Sequence, residues 1–137
     1  LKQQVSTTGI PTYWAGEKSG THIELTITTN GSIYVRYLPL DVGPGSKDTY
    51  FTVASMYDPG AFANVQGLAA QTGAKWTQYS GGALAAAASE SDHNIYFAYQ
   101  DVPVLIDVYA PDHSWRKPRC VIVETKFVFA RRNLTHT

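Results

Sequence analysis

The stretch Thr21-His22-Ile23-Glu24-Leu25-Thr26-Ile27-Thr28-Thr29-Asn30-Gly31-Ser32-Ile33-Tyr34-Val35-Arg36-Tyr37-Leu38 decides the fold class. Its first half alternates strictly, with Ile23, Leu25 and Ile27 opposite His22, Glu24, Thr26 and Thr28. A period of two with β-branched residues is the signature of a half-buried strand. Ser32 to Leu38 alternates again, with Ile33, Val35 and Tyr37 opposite Tyr34 and Arg36. Asn30-Gly31 between the two runs predicts a hairpin, closed by a type I′ turn with positive φ at both central residues.

Working outward, the same pattern recurs. Pro39 to Asp48 is punctuated three times by Pro and Gly and reads as a loop. Thr49 to Met56 predicts a strand, and Asp58-Pro59-Gly60 a turn that closes it. Phe62, Val65 and Leu68 recur at three-residue spacing among alanines, predicting a short helix over Ala61 to Ala70 that Gly67 weakens. Lys75 to Ser80 reads as a strand. Ala83 to Ser89 is left open: its composition favours helix, but seven residues after Gly81-Gly82 are too few for a secure one. Asn94 to Gln100, Val102 to Ala110 and Arg119 to Ala130 read as strands, with Pro103 confined to an edge or a strand start because it lacks an N–H. Thr8-Gly9-Ile10-Pro11 marks the end of an arm over residues 1–12, and residues 131–137 form a polar tail. Seven or eight short strands with little helix predict a mostly β fold. The expected architecture is a single antiparallel β-sandwich or jelly-roll-like barrel with one or two short helical turns.

Composition narrows the function classes. The 137 residues carry 11 Lys+Arg against 11 Asp+Glu, with 44% hydrophobic and 12% aromatic residues. Disorder calls for high charge and few aromatics, so it is excluded. One domain of this length buries about two thirds of its unfolded surface. A net charge of zero argues against gripping nucleic acid by counterion release and in favour of association. No apolar run approaches the ~20 residues that span a bilayer, so no membrane insertion is expected. Cys120 is the single cysteine, which excludes an internal disulfide. The opening Leu1-Lys2-Gln3-Gln4 has neither initiator Met nor signal segment, and reads as the interior of a longer protein.

Candidate chemistry is sparse. Asp92-His93 and Asp112-His113-Ser114 pair the residue types of a hydrolytic triad. Neighbours in sequence seldom reach that geometry with one another, no Gly-x-Ser-x-Gly elbow is present, and Asp and His are ordinary turn residues. A catalytic role is therefore not expected. Zinc spacing such as His-Glu-x-x-His is absent, and Asp41 to Asp48 has too few acidic oxygens for calcium. No metal or cofactor is expected. Cys120 reads as a small hydrophobe inside a strand.

The aromatic inventory is heavier, with nine tyrosines and three tryptophans. Trp14, Trp76, Tyr79 and Trp115 lie by strand ends or loops, where amphipathic rings serve binding surfaces as readily as they plug a core. Arg116 and Lys117 beside Trp115 complete the candidate set, as a basic and aromatic loop suited to an anionic glycan. No specific nucleic acid is expected, since the chain carries no RNA-binding fingerprint.

Three segments carry a resemblance: Leu38-Pro39-Leu40-Asp41-Val42-Gly43-Pro44-Gly45, Tyr50-Phe51-Thr52-Val53-Ala54-Ser55-Met56-Tyr57-Asp58-Pro59-Gly60, and Val121-Ile122-Val123-Glu124-Thr125-Lys126-Phe127-Val128-Phe129-Ala130-Arg131-Arg132. In texture the chain resembles the protruding or jelly-roll surface domains of small non-enveloped RNA virus capsid proteins, of the nodavirus-like, tetravirus-like and Lake Sinai-type insect viruses. It lacks the Arg-rich N-terminal arm of those proteins, which the resemblance would assign to a separate shell region. The resemblance implies a virion-surface domain that self-associates as a dimer or trimer, contacts neighbouring capsid subunits and meets a host receptor or glycan. Two alternatives stand beside it: a secreted carbohydrate-binding module or lectin-like sandwich using the tryptophans, and a hydrolase using an Asp-His pair.

Overall fold

The computed structural model describes residues 11–89, 93–111 and 123–124. Its strands are β1 (Tyr13–Trp14), β2 (Thr21–Ile27), β3 (Ile33–Pro39), β4 (Thr52–Tyr57), β5 (Lys75–Gln78), β6 (Ala83–Ala87), β7 (Asn94–Tyr99), β8 (Val104–Tyr109) and β9 (Val123–Glu124), and one helix, α1 (Ala61–Ala69), follows β4. The alternation read from the sequence places these elements well. β2 to β8 form one seven-stranded sheet in the order β2-β3-β4-β8-β7-β6-β5, and every neighbouring pair is antiparallel. β1 and β9 make a small second antiparallel sheet. The described residues are thus mostly β and antiparallel with one short helix, as expected.

The sheet is two meanders zipped together. β2-β3-β4 is one, β5-β6-β7-β8 the other, and the β4–β8 pairing joins them from Thr52↔Tyr109 to Tyr57↔Val104. One face of the sheet carries the main core, built on Ile33, Val35, Tyr37, Val53, Phe97, Val104, Ile106 and Val108. Residues 12–16 cross this face and are pinned there by hydrogen bonds. Tyr13 N–H donates to the buried Ser55 Oγ (3.1 Å), Ala15 N–H donates to Tyr37 Oη (2.8 Å), and Tyr37 O–H donates to the Gly16 carbonyl (2.9 Å). The Tyr13 ring stacks on Tyr99 at 5.7 Å, and burial pushes the Tyr13 phenol up to about 12.

The opposite face holds α1, over β6 and β7. Asp58 starts the helix: its carboxylate accepts from Gly60 N–H and Asn64 Nδ2, and its carbonyl from Ala61 N–H. The predicted spacing is met, with Val65 buried and Phe62 and Leu68 half-buried on the sheet side. The ambiguous alanine run is β6, and every one of its residues is buried. Tertiary context overrides its helix preference, because β5 and β7 satisfy its backbone on both sides. Small side chains at Ala86 and Ala98 also let Ala61 and Val65 of the helix sit close to the sheet.

One turn differs from expectation. Gly31 has φ 86° but Asn30 is not left-handed, so the β2–β3 hairpin is not type I′. Gly31 N–H donates to the Thr28 carbonyl and Thr28 N–H to the Ser32 carbonyl, the pattern of a longer loop ending in a left-handed glycine bulge. Asn30 contributes its side-chain oxygen instead, accepting from Ser32 N–H. The β5–β6 hairpin repeats the device with Gly82 at φ 92°. Pro103 lies just before β8, where its missing N–H costs no ladder bond.

Two substitutions test this packing. Ala98→Leu places three extra carbons between sheet and helix, and is expected to destabilise by about 1–3 kcal/mol in urea unfolding. Tyr37→Phe leaves Ala15 N–H without its acceptor, and is expected to cost about 1–3 kcal/mol in the same measurement.

Candidate functional site

The helix covers only part of its face, and the register builds the rest into two rows across the strands. The first row runs Thr26, Tyr34, Ala54, Asp107, Tyr96, Ala86 and Trp76 from edge to edge. The second runs Glu24, Arg36, Thr52, Tyr109 and Asn94. On this face α1 covers β6 and β7 and the loop after β3 is held against β2 and β3, and Ala54 and Asp107 form the strip between them, Ala54 being buried. Tyr34, Thr52, Asn94, Tyr96, Asp107 and Tyr109 around it are all half-buried.

Ionic and backbone contacts fix the loop side. Arg36 Nε donates to Glu24 Oε1 (2.8 Å), Nη2 to the Ser46 carbonyl (2.8 Å) and Nη1 to the Asp48 carbonyl (3.3 Å). Glu24 Oε2 accepts from Gly45 N–H (2.6 Å), and a His22 ring nitrogen lies 2.7 Å from the Val42 carbonyl. The Gly45 N–H and then the Arg36 guanidinium hold the Glu24 carboxyl below its ordinary range. This pair is therefore a clamp on the loop, and the Arg36 charge is fully engaged.

Asp107 is the chemically unusual member. It stands in Val104-Leu105-Ile106-Asp107-Val108-Tyr109, the lone ionisable group of an otherwise apolar strand apart from the terminal phenol. Burial pushes its carboxyl above the ordinary range, opposed by the hydrogen bond that Asn94 Nδ2 donates to Oδ1 (2.8 Å). Among the described residues no basic side chain pairs with it. Burial and then the Asp107 charge raise the Tyr96 phenol across the strand pair. Beside them, the His93 ring lies 5.9 Å from Tyr109, and a His93 ring nitrogen lies 3.3 Å from the Ala110 carbonyl.

The residues singled out from sequence fall elsewhere. Trp14 is half-buried in β1 and packs on the main core. Trp76, on β5, is 58% exposed on the helix side of the sheet. Tyr79 follows β5 on the other side, where its ring stacks on Phe97 at 6.1 Å. The three described aromatics therefore do not form one platform. Trp115, Arg116 and Lys117 lie outside the described residues, as do Asp92, Asp112, His113, Ser114 and Cys120. Among the described residues no cluster of His, Cys, Asp and Glu could hold a metal, and no helix is long and apolar enough to cross a membrane. Sequence reasoning passed over Asp107, Asn94, Tyr34 and Tyr96. The signal available was a carboxylate set in the middle of a β-branched apolar run.

Asp107 gives a prediction with a definite sign. A carboxyl whose folded value lies above its unfolded one destabilises the fold once the unfolded chain ionises. The Asp107 contribution to stability should fall as pH rises from below the ordinary carboxylate range through the raised Asp107 value, while Glu24, held below its range, contributes in the opposite sense, and the full Asp107 penalty is present at neutral pH. Asp107→Asn keeps an acceptor for Asn94 and should unfold at higher urea than wild type at pH 7. The gap should close at acid pH, and a gap that does not change between pH 3 and 7 would contradict the assignment.

Comparison with protein-family models, with curated proteins and with solved structures finds no match to this chain.

Proposed function

We propose that this chain is a structural and interaction domain of a capsid surface, assembling with further copies of itself through the sheet edge at β5. The observation that carries the reading is the exposure of that edge. All four residues of Lys75–Gln78 are exposed, and Trp76 offers the largest exposed ring on the sheet. Among the described residues no strand pairs with the outer side of β5, whose backbone groups there face away from β6. Zero net charge supports the choice of a second copy as partner, because identical neutral domains meet without mutual repulsion. The shortness of β5 and the charge of Lys75 limit open-ended strand addition, which favours a closed dimer or trimer over a fibre. Attachment to a host receptor or glycan belongs to the same reading and would use the same exposed ring.

Sedimentation of the domain over a concentration series tests the association. Wild type is expected to form a discrete dimer or trimer, and Trp76→Ala to weaken it about tenfold or more, as removal of a buried interface aromatic does. A wild type that stays monomeric, or a Trp76→Ala variant that associates unchanged, removes β5 as the interface. Electron microscopy of the full-length gene product addresses the capsid assignment separately, which fails if that product assembles into no particle.

A further inference from the structure

We propose that the β5 edges of two copies pair antiparallel about a twofold axis at Thr77, so that their two sheets run on as one. This pairing rests on the β5 association proposed above and narrows it to a dimer of one register.

The direction of the free backbone groups follows from the β5–β6 hairpin. Tyr79 N–H donates to the Ala83 carbonyl (2.8 Å) and Gly82 N–H to the Tyr79 carbonyl (3.0 Å), so the backbone groups of Tyr79 face inward. In an antiparallel strand, every second residue directs its N–H and C=O to the same side. Thr77 and Lys75, opposite Ala85 and Ala87, therefore also bond toward β6. The N–H and C=O groups of Trp76 and Gln78 point outward, and among the described residues no strand meets them. Side chains alternate as well, with Trp76 and Gln78 on the helix side and Lys75, Thr77 and Tyr79 on the other.

Symmetry then selects the register. Across a twofold perpendicular to the sheet, paired residues must share a face, so the axis passes through a residue and never between two. An axis at Thr77 sets Trp76 of each copy against Gln78 of the other, and every outward N–H and C=O of both strands is bonded. An axis at Trp76 would set Gln78 against Ala74, outside the strand, whose N–H already donates to the Gln71 carbonyl (3.1 Å). An axis at Gln78 would set Trp76 against Ser80, in the turn, and one at Lys75 would oppose two like charges. The Thr77 register instead places Lys75 opposite Tyr79 of the second copy. It also brings the two Trp76 rings to diagonal positions, within reach of each other. Each edge is consumed by the other, so the pairing closes at two copies.

Cysteine cross-linking reads the register, in a Cys120→Ser background so that the introduced thiol is the only one. Directly opposed residues of a non-hydrogen-bonded pair have Cα atoms about 4.5 Å apart, which a disulfide can span, whereas diagonal neighbours lie about 7–8 Å apart. Under copper–phenanthroline oxidation, Thr77→Cys is expected to form a covalent dimer at least tenfold faster than Lys75→Cys or Gln78→Cys. Gln78→Pro removes an outward N–H that β6 does not use, at an edge where proline is tolerated. It should weaken dimerisation at least tenfold in sedimentation while leaving the urea midpoint of the monomer unchanged. If wild type dimerises but Thr77→Cys bridges no faster than its neighbours, the register is overturned and the β5 association stands. A folded Gln78→Pro variant that dimerises as wild type does also overturns the backbone pairing. A wild type that stays monomeric removes both.

Discussion

The pairing of β4 with β8 is the constraint on which everything else rests. Each meander is built from strands consecutive in sequence, through tight turns at β2–β3 and β5–β6 and a longer loop between β3 and β4, but neither alone encloses a core. The six-residue register from Thr52↔Tyr109 to Tyr57↔Val104 aligns Val53 with Val108 and Ser55 with Ile106 on the core face. It also sets Ala54 against Asp107 on the other. A slip of one residue would invert both faces at once, moving Asp107 into the apolar core and Val108 out of it. The seam joins segments about fifty residues apart, so its loop-closure cost falls on folding before the core repays it.

Given the seam, side-chain size divides the helix face. Ala86 and Ala98 are small enough for α1 to lie directly on β6 and β7, and the helix burial is confined to that half. On the far half, the Glu24–Arg36 pair holds the loop after β3 against β2 and β3. The pair is largely screened from water, and each partner has further backbone hydrogen bonds, which makes it more than a surface ion pair. Ala54 and Asp107 lie between two covers built by different physics: close apolar packing on one side and charge-assisted hydrogen bonds on the other.

How far the sequence discloses this follows from the range of each interaction. The β2–β3 hairpin and the inward set Ile23, Leu25, Ile27, Ile33, Val35 and Tyr37 are legible because alternation is local and unambiguous. The turn is not, because Asn-Gly suits either a type I′ turn or a turn closed by a left-handed glycine, and the choice depends on where Thr28 and Ser32 pair. The α1 stripe is legible from Phe62, Val65 and Leu68. The state of Ala83–Ala87 is not, since alanine prefers helix and only the flanking strands make it β. The row was beyond reach for the same reason: Tyr34, Ala54, Asp107 and Tyr96 come from four strands, and their alignment exists only once the seam has closed.

The carboxylate at position 107 works against the stability of the fold in its ionised form. Its neighbours on β8 are apolar or aromatic, and an apolar or amide side chain there would relieve the desolvation that raises its carboxyl. Glu24, by contrast, is fully partnered and strengthens the fold in its ionised form. The same fold therefore contains one acidic group organised for stability and one that opposes it. Trp76 departs from burial for a different reason, as part of an edge that no described strand pairs.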